Sequence, residues 1–227
     1  MSGALERLRG GLVVSVQAAP GSPLAAPEHL AAIACAAEAG GAVGIRTEGI
    51  AAVRAIAEAV EVPVIGLVKR RDRGSDVYIT PDLEDALAVA EAGAELVAVD
   101  GTERARADGS GGAEFVGAAS AELPGRIVAD IDRASAAHAA AGAGAVAVAT
   151  TLSGYTGAAV EKNAAPDIAL VAELAEEVQV PVLAEGRYAS AADVRAAFEA
   201  GAFAVVVGTA ITDPAELTRR LAVGADG

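Results

Sequence analysis

Short apolar segments rich in Val, Ile and Ala alternate with Ala/Glu-rich segments of helical spacing from one end of the chain to the other. The strand-like segments are 12–17, 42–46, 62–69, 96–100, 126–131, 145–150, 180–185 and 204–208. Between and after them come helix-like segments 27–39, 50–59, 81–92, 112–123, 133–141, 167–178, 190–200 and 214–221. Several helices end on the same punctuation, as in Glu91-Ala92-Gly93 and Glu199-Ala200-Gly201, where a left-handed glycine stops the helix and a strand follows. Near-continuous apolar strands that alternate with helices indicate a parallel sheet covered by helices. Eight such units predict a (β/α)8 TIM barrel, an α/β fold in one domain over residues 1–227. An open doubly wound sheet is the alternative, but no early strand runs into a GxGxxG turn.

Hydrophobic residues make up 53% of the chain and aromatics only 3%, with no Trp. Such a core must be filled by Ala, Val, Leu and Ile. The net charge of -14 argues against nucleic acid and anionic membranes as partners. Cys35 is the single cysteine, so no intrachain disulfide can form and a reducing compartment is expected. Residues 1–11 carry no signal-type apolar run, and no apolar stretch reaches membrane-spanning length. The expectation is a cytoplasmic protein.

Two segments read as copies. Val62-Pro63-Val64 leads to Lys69, and Val180-Pro181-Val182 leads to Glu185 and Arg187. Positions two apart on a strand share a face, so Lys69 shares the facing of Ile65 and Leu67, and Glu185 that of Leu183. In a barrel the strand C-termini converge on one mouth. Here they supply Gln17, Arg46, Lys69, Asp100, Asp130, Thr150 to Thr156, and Glu185 to Arg187. Buried charges are costly unless paired, so this ring is either ion pairing that closes the barrel or a site for proton chemistry. Lys69 can serve as a general base or a Schiff-base nucleophile, or simply open the polar loop that follows it.

The loops after strands seven and eight, with Gly186, Arg187, Gly208 and Thr209, occupy the positions where barrels often bind phosphate. Helix capping by Ser190 and by Thr212 or Asp213 explains the same residues equally well. The loop after strand six, with Thr151, Ser153 and Tyr155, is rich in hydroxyls of the kind that read sugars. His29 and His138 fall in helices. With no Cys/His cluster, no zinc site is expected.

These strand-end segments, taken together, resemble the bacterial N-acetylmannosamine-6-phosphate 2-epimerase family. The matching pieces include Val14-Ser15-Val16-Gln17, Gly44-Ile45-Arg46, Ile65-Gly66-Leu67-Val68-Lys69, Tyr78-Ile79-Thr80-Pro81, Ala129-Asp130-Ile131, Thr150-Thr151-Leu152-Ser153-Gly154-Tyr155-Thr156 and Ala184-Glu185-Gly186-Arg187. They run through nearly the whole chain in the family's order. The resemblance implies a (β/α)8 barrel without cofactor or metal, acting on a sugar phosphate, usually as a homodimer. It implies that Lys69 is the principal acid/base, with Glu185 its carboxylate companion. It makes Gln17, Arg46, Tyr78, Asp130, Thr151, Ser153 and Tyr155 substrate contacts, and Gly186, Arg187, Gly208 and Thr209 the phosphate site. The chain departs from the family at Thr47-Glu48, where Asn is usual, and at Asp213, where Arg is usual. Asp213 precedes Pro214, and that order reads as a helix N-cap. The expected reaction is proton abstraction and return at C2. The alternatives are another small phosphate-binding barrel isomerase, lyase or synthase, or a non-catalytic sugar-phosphate-binding barrel.

Overall fold

A computed structural model describes residues 3–19, 21–71, 74–156 and 165–222. The eight apolar segments pair in chain order as β1 (Leu12–Val16), β2 (Gly44–Glu48), β3 (Val64–Leu67), β4 (Leu96–Asp100), β5 (Ile127–Asp130), β6 (Ala147–Ala149), β7 (Val182–Glu185) and β8 (Ala204–Val207). All pairs are parallel, and β8 closes on β1 to complete the barrel. The TIM barrel expected from the alternation is therefore the fold, and the doubly wound sheet is not.

Each strand is followed by a helix: α2 (Pro27–Ala39), α3 (Ile50–Ala57), α4 (Leu83–Glu91), α5 (Gly112–Glu122), α6 (Ala134–Gly142), α7 (Ile168–Glu177) and α8 (Ala191–Glu199), with α9 (Thr209–Thr212) and α10 (Pro214–Ala222) after β8. Gly93 and Gly201 take φ of 109° and 95° just past α4 and α8, as the punctuation predicts. Among the described residues no helix is long and apolar enough to cross a membrane.

Alternation along the strands makes two cores. Val97, Val99, Val148, Val182 and Val205 face outward onto helix residues such as Val89, Val116 and Leu174. Ile65, Leu67, Leu96, Val128, Leu183 and Val206 fill the barrel interior with Ala98, Ala147, Ala149 and Ala204. The many alanines let strands and helices approach closely. At Gly66 even one methyl is too much, since a Cβ there would lie 2.6 Å from Val89 and 2.7 Å from Ala94.

An element that the alternation does not predict stops the lower end. The short helix α1 (Gly3–Glu6) precedes β1. Leu5 from it and Leu8 just after it are fully buried among the interior side chains. Gly10 N–H fixes this segment by donating to Phe203 O at 2.8 Å.

Several boundaries also differ from the spacing. β2 runs on to Glu48, whereas β3 ends at Leu67. Above Leu67 the chain pairs with its own loop. Lys69 bridges Ile79 in antiparallel fashion, and Thr80 N–H donates to Val68 O at 2.8 Å. This fold-back brings Tyr78 to the barrel mouth.

Candidate active site

The upper ends of the strands surround a cavity of about 920 Å³. Arg46 and Asp130 form its foundation. Arg46 on β2 is 1% exposed and Asp130 on β5 is fully buried. Two parallel hydrogen bonds join them, from Nη1 to Oδ1 at 3.0 Å and from Nη2 to Oδ2 at 2.6 Å. Thr151 Oγ1 donates to the same Oδ1 at 2.7 Å. Burial alone would weaken the guanidinium's hold on its proton, but Asp130 and Glu185 outweigh it and raise its pKa above the ordinary arginine value. Arg46 is thus a permanent cation inside the barrel.

Glu185, at the end of β7, places Oε2 2.9 Å from Arg46 Nη1. That contact lacks hydrogen-bond geometry, and Oε2 is buried with no hydrogen bond among the described residues. Burial pushes the Glu185 carboxyl up to about 7. Arg46 opposes the rise and the Asp130 charge adds to it. A carboxyl with such a pKa exchanges protons at neutral pH.

Lys69 extends from the end of β3, four strands from β7 in the closed ring of eight, and so on the opposite side of the barrel. Its Nζ donates to Gln17 Oε1 at 2.5 Å and pairs with Glu48 Oε2 at 2.8 Å. Gln17 in turn donates to Ser15 Oγ at 2.9 Å. Arg71 stacks over the Tyr78 ring at 4.1 Å, and both line the cavity. Burial raises the Tyr78 pKa.

Of the residues expected to touch substrate, Gln17, Arg46, Tyr78, Thr151 and Tyr155 line the cavity with Lys69 and Glu185. Asp130 lies behind Arg46 and is not part of the wall. Ser153 is turned away, its hydroxyl donating to Asp167 Oδ2 at 2.6 Å, where it braces the N-cap of α7. Asp100 also leaves the mouth ring. It is fully buried and taken up by Thr102 and Arg104.

The residues expected to bind phosphate, Gly186, Arg187, Gly208 and Thr209, all line the cavity. The Arg187 guanidinium is already engaged, however. It donates to Ser153 O at 2.8 Å and to Ala165 O at 3.0 Å. Ser190 and Asp193 form the capping box that the sequence suggests, and Asp193 Oδ2 also accepts from Ala189 N–H at 3.0 Å. The amides of Ala189, Ser190 and Asp193 are therefore occupied. Asp213 Oδ1 accepts from Glu216 N–H at 3.0 Å and so caps α10. Glu48, Arg71 and Arg220, which the strand-end motifs do not single out, also line the wall. Glu48 was visible by strand parity with Arg46. Arg220 stands seven residues after Asp213, on the same helix face.

Comparison with known proteins decides the family. The model for the family described as "Putative N-acetylmannosamine-6-phosphate epimerase" matches residues 30–225. The chain belongs to this family. A family relative from Caldanaerobacter subterraneus, described as "Putative N-acetylmannosamine-6-phosphate 2-epimerase", is 44% identical over 217 residues, 95% of this chain and 91% of the relative. One of the same description from Yersinia pseudotuberculosis is 46% identical, over 91% of this chain and 86% of its own. Among solved structures, the N-acetylmannosamine-6-phosphate 2-epimerase from Clostridium perfringens superposes with a TM-score of 0.89 at 35% identity. The match covers 96% of this chain and 95% of that one.

Proposed function

We propose that the protein interconverts N-acetylmannosamine 6-phosphate and N-acetylglucosamine 6-phosphate, with Lys69 and Glu185 exchanging the C2 proton. One observation carries this reading: two proton-handling side chains approach one polar cavity from opposite sides of the barrel. Epimerisation needs the C2 proton removed from one face and a proton returned to the other. In the open-chain sugar the C1 aldehyde acidifies that proton. Removing it leaves an enolate, and the fixed charge of Arg46 is suited to stabilise the enolate oxygen. Gln17, Tyr78, Thr151 and Tyr155 supply hydrogen bonds to the sugar. Asp130 acts by holding Arg46.

The cavity wall carries Arg46, Lys69, Arg71, Arg187 and Arg220. In a chain of net charge -14, attraction for a sugar phosphate must come from such a local group. The phosphate rests on the Gly208–Thr209 side of the mouth, because Arg187 and the Ala189 amide are already engaged. The single cysteine fits a cytoplasmic enzyme, and the family resemblance carries the homodimer.

Proton NMR in deuterated buffer tests the reaction. N-acetylmannosamine 6-phosphate should convert to the gluco epimer with deuterium entering at C2, and the unphosphorylated sugar should react far more slowly. Borohydride should trap no sugar on Lys69. No conversion of the phosphorylated sugar sinks the reading.

A further inference from the structure

β3 and β4 pair directly only at Ile65–Leu96 and Gly66–Val97. Above that register the segment after β3 slips in between them. Thr80 N–H donates to Val68 O at 2.8 Å, Thr80 Oγ1 to Ala98 O at 2.7 Å, and Asp100 N–H to Ile79 O at 3.1 Å. Thr80 takes φ of 42° in doing so, a left-handed conformation that a β-branched residue adopts only when its surroundings impose it. This insertion carries Tyr78 to the cavity wall, with Arg71 stacked on its ring.

The loop after β4 supplies the hold on that segment. Asp100 ends β4 on the inward face that Leu96 and Ala98 share. It is fully buried, and burial raises its pKa against the opposing pull of Arg104. Arg104 folds back over it. Nη2 donates to Asp100 Oδ2 at 2.6 Å, Nε to Thr102 Oγ1 at 3.0 Å, and Nη1 to Asp76 O at 2.8 Å. The last of these acceptors lies two residues before Tyr78. Ser75 Oγ adds a donation to Ala105 O at 2.8 Å. Beyond Tyr78, Arg106 Nε donates to Pro81 O at 3.2 Å. The segment is thus gripped before and after the phenol. A lysine ammonium also has three donors, but all on one atom, and cannot serve acceptors spread around a guanidinium.

We infer that Arg104, seated on Asp100, is a positioning residue that fixes the 75–81 segment through Asp76 O and so holds Tyr78 at the cavity wall. Its effect on turnover rests on the epimerase reading above. β4 then serves the site at one remove, through a loop that belongs to β3.

Arg104→Gln removes the charge and the fork while keeping a polar side chain. Hydrogen–deuterium exchange of the folded protein, read on peptides by mass spectrometry, needs no substrate. The peptide spanning 74–82 should exchange about tenfold faster in this variant, the scale of one charge-assisted hydrogen bond. Peptides from β7 and α8 should keep the wild-type rate, since the opening is local. kcat/KM should fall roughly tenfold to a hundredfold through misplacement of the phenol. On a Tyr78→Phe background the same substitution should cost less than about twofold, because the hydroxyl it positions is gone. Should the unpaired Asp100 carboxylate prevent folding, Asp100→Asn with Arg104→Gln removes the buried charge and takes the same measurements. Wild-type exchange over 74–82 overturns the inference, and so does an equal kinetic loss with and without the Tyr78 hydroxyl. If the wild-type protein converts neither sugar, the epimerase reading falls by itself. The exchange rates then decide alone whether Arg104 holds Tyr78 in place.

Discussion

Arg46 leaves β2 and closes a two-fold hydrogen-bonded pair with Asp130 on β5, three strands away around the barrel, at 3.0 and 2.6 Å. Both side chains are buried. Removing one partner of such a pair leaves an uncompensated charge, which costs about 3–5 kcal/mol. Asp130→Asn should therefore lower the thermal midpoint markedly and also disable turnover. The double variant Arg46→Met with Asp130→Leu should regain much of the stability in calorimetry while staying inactive. Stability restored together with activity would show that the pair is a structural brace only.

Lys69→Arg keeps a cation beside Glu48 but cannot exchange a proton at neutral pH. Turnover should fall by at least about two orders of magnitude, the scale of a general acid/base contribution. Deuterium entry at C2 should fall with it. Calorimetry should show little change, since the ion pair is partly exposed. Turnover near the wild-type rate would remove Lys69 from the chemistry.

Glu185 gives a pH signature with a definite sign. Its carboxyl rises from 4.5 to about 7 in the folded protein, chiefly through burial. If Glu185 takes a proton in the reaction it must first be ionised, and kcat/KM should then rise with pH through about 7. Between about pH 4.5 and about 7 the folded state holds more protons than the unfolded one. The stabilisation is complete below the lower value and is lost as pH rises through the upper. Glu185→Gln should abolish turnover and flatten that part of the stability profile. A variant that keeps the same slope would assign the titration to another group.

The phosphate load can be divided by two variants. The Arg187 guanidinium is spent on Ser153 O and Ala165 O. Arg220 has a looser partner, Glu216 at 3.7 Å. Arg220→Ala should raise KM for the phosphorylated sugar roughly tenfold, the scale of one charge-assisted hydrogen bond, with kcat little changed. Arg187→Ala should instead lower the thermal midpoint by freeing the loop after β6. The reverse pattern would return the phosphate to Arg187.

Much of this was legible in the sequence. The alternation and its glycine punctuation specify the barrel, and strand parity puts Glu185 at its mouth, while Lys69, two residues past the end of β3, keeps its facing through the bridge to Ile79. Parity fails where a strand stops. Ser153 and Arg187 lie in loops, and the direction of a loop side chain is set by partners distant in sequence, here Asp167 and the carbonyls of Ser153 and Ala165. Ala189 reads as a free amide until Asp193 is seen to accept from it. The Arg46–Asp130 pair depends on how far a long side chain reaches across the interior, which spacing does not encode. The first residues carry no strand or long-helix signal, so their place under the barrel needed the tertiary structure.

Leu5 and Leu8, fully buried among the interior side chains, close the barrel below the reaction chamber. Substrate and product must share the one cavity that Arg220 and Tyr155 help to line, and neither can leave by the floor as the other enters. The two epimers therefore exclude one another at every moment. Accumulated product should slow the forward reaction by simple competition, and the ratio of the two sugars will set the direction of net flux.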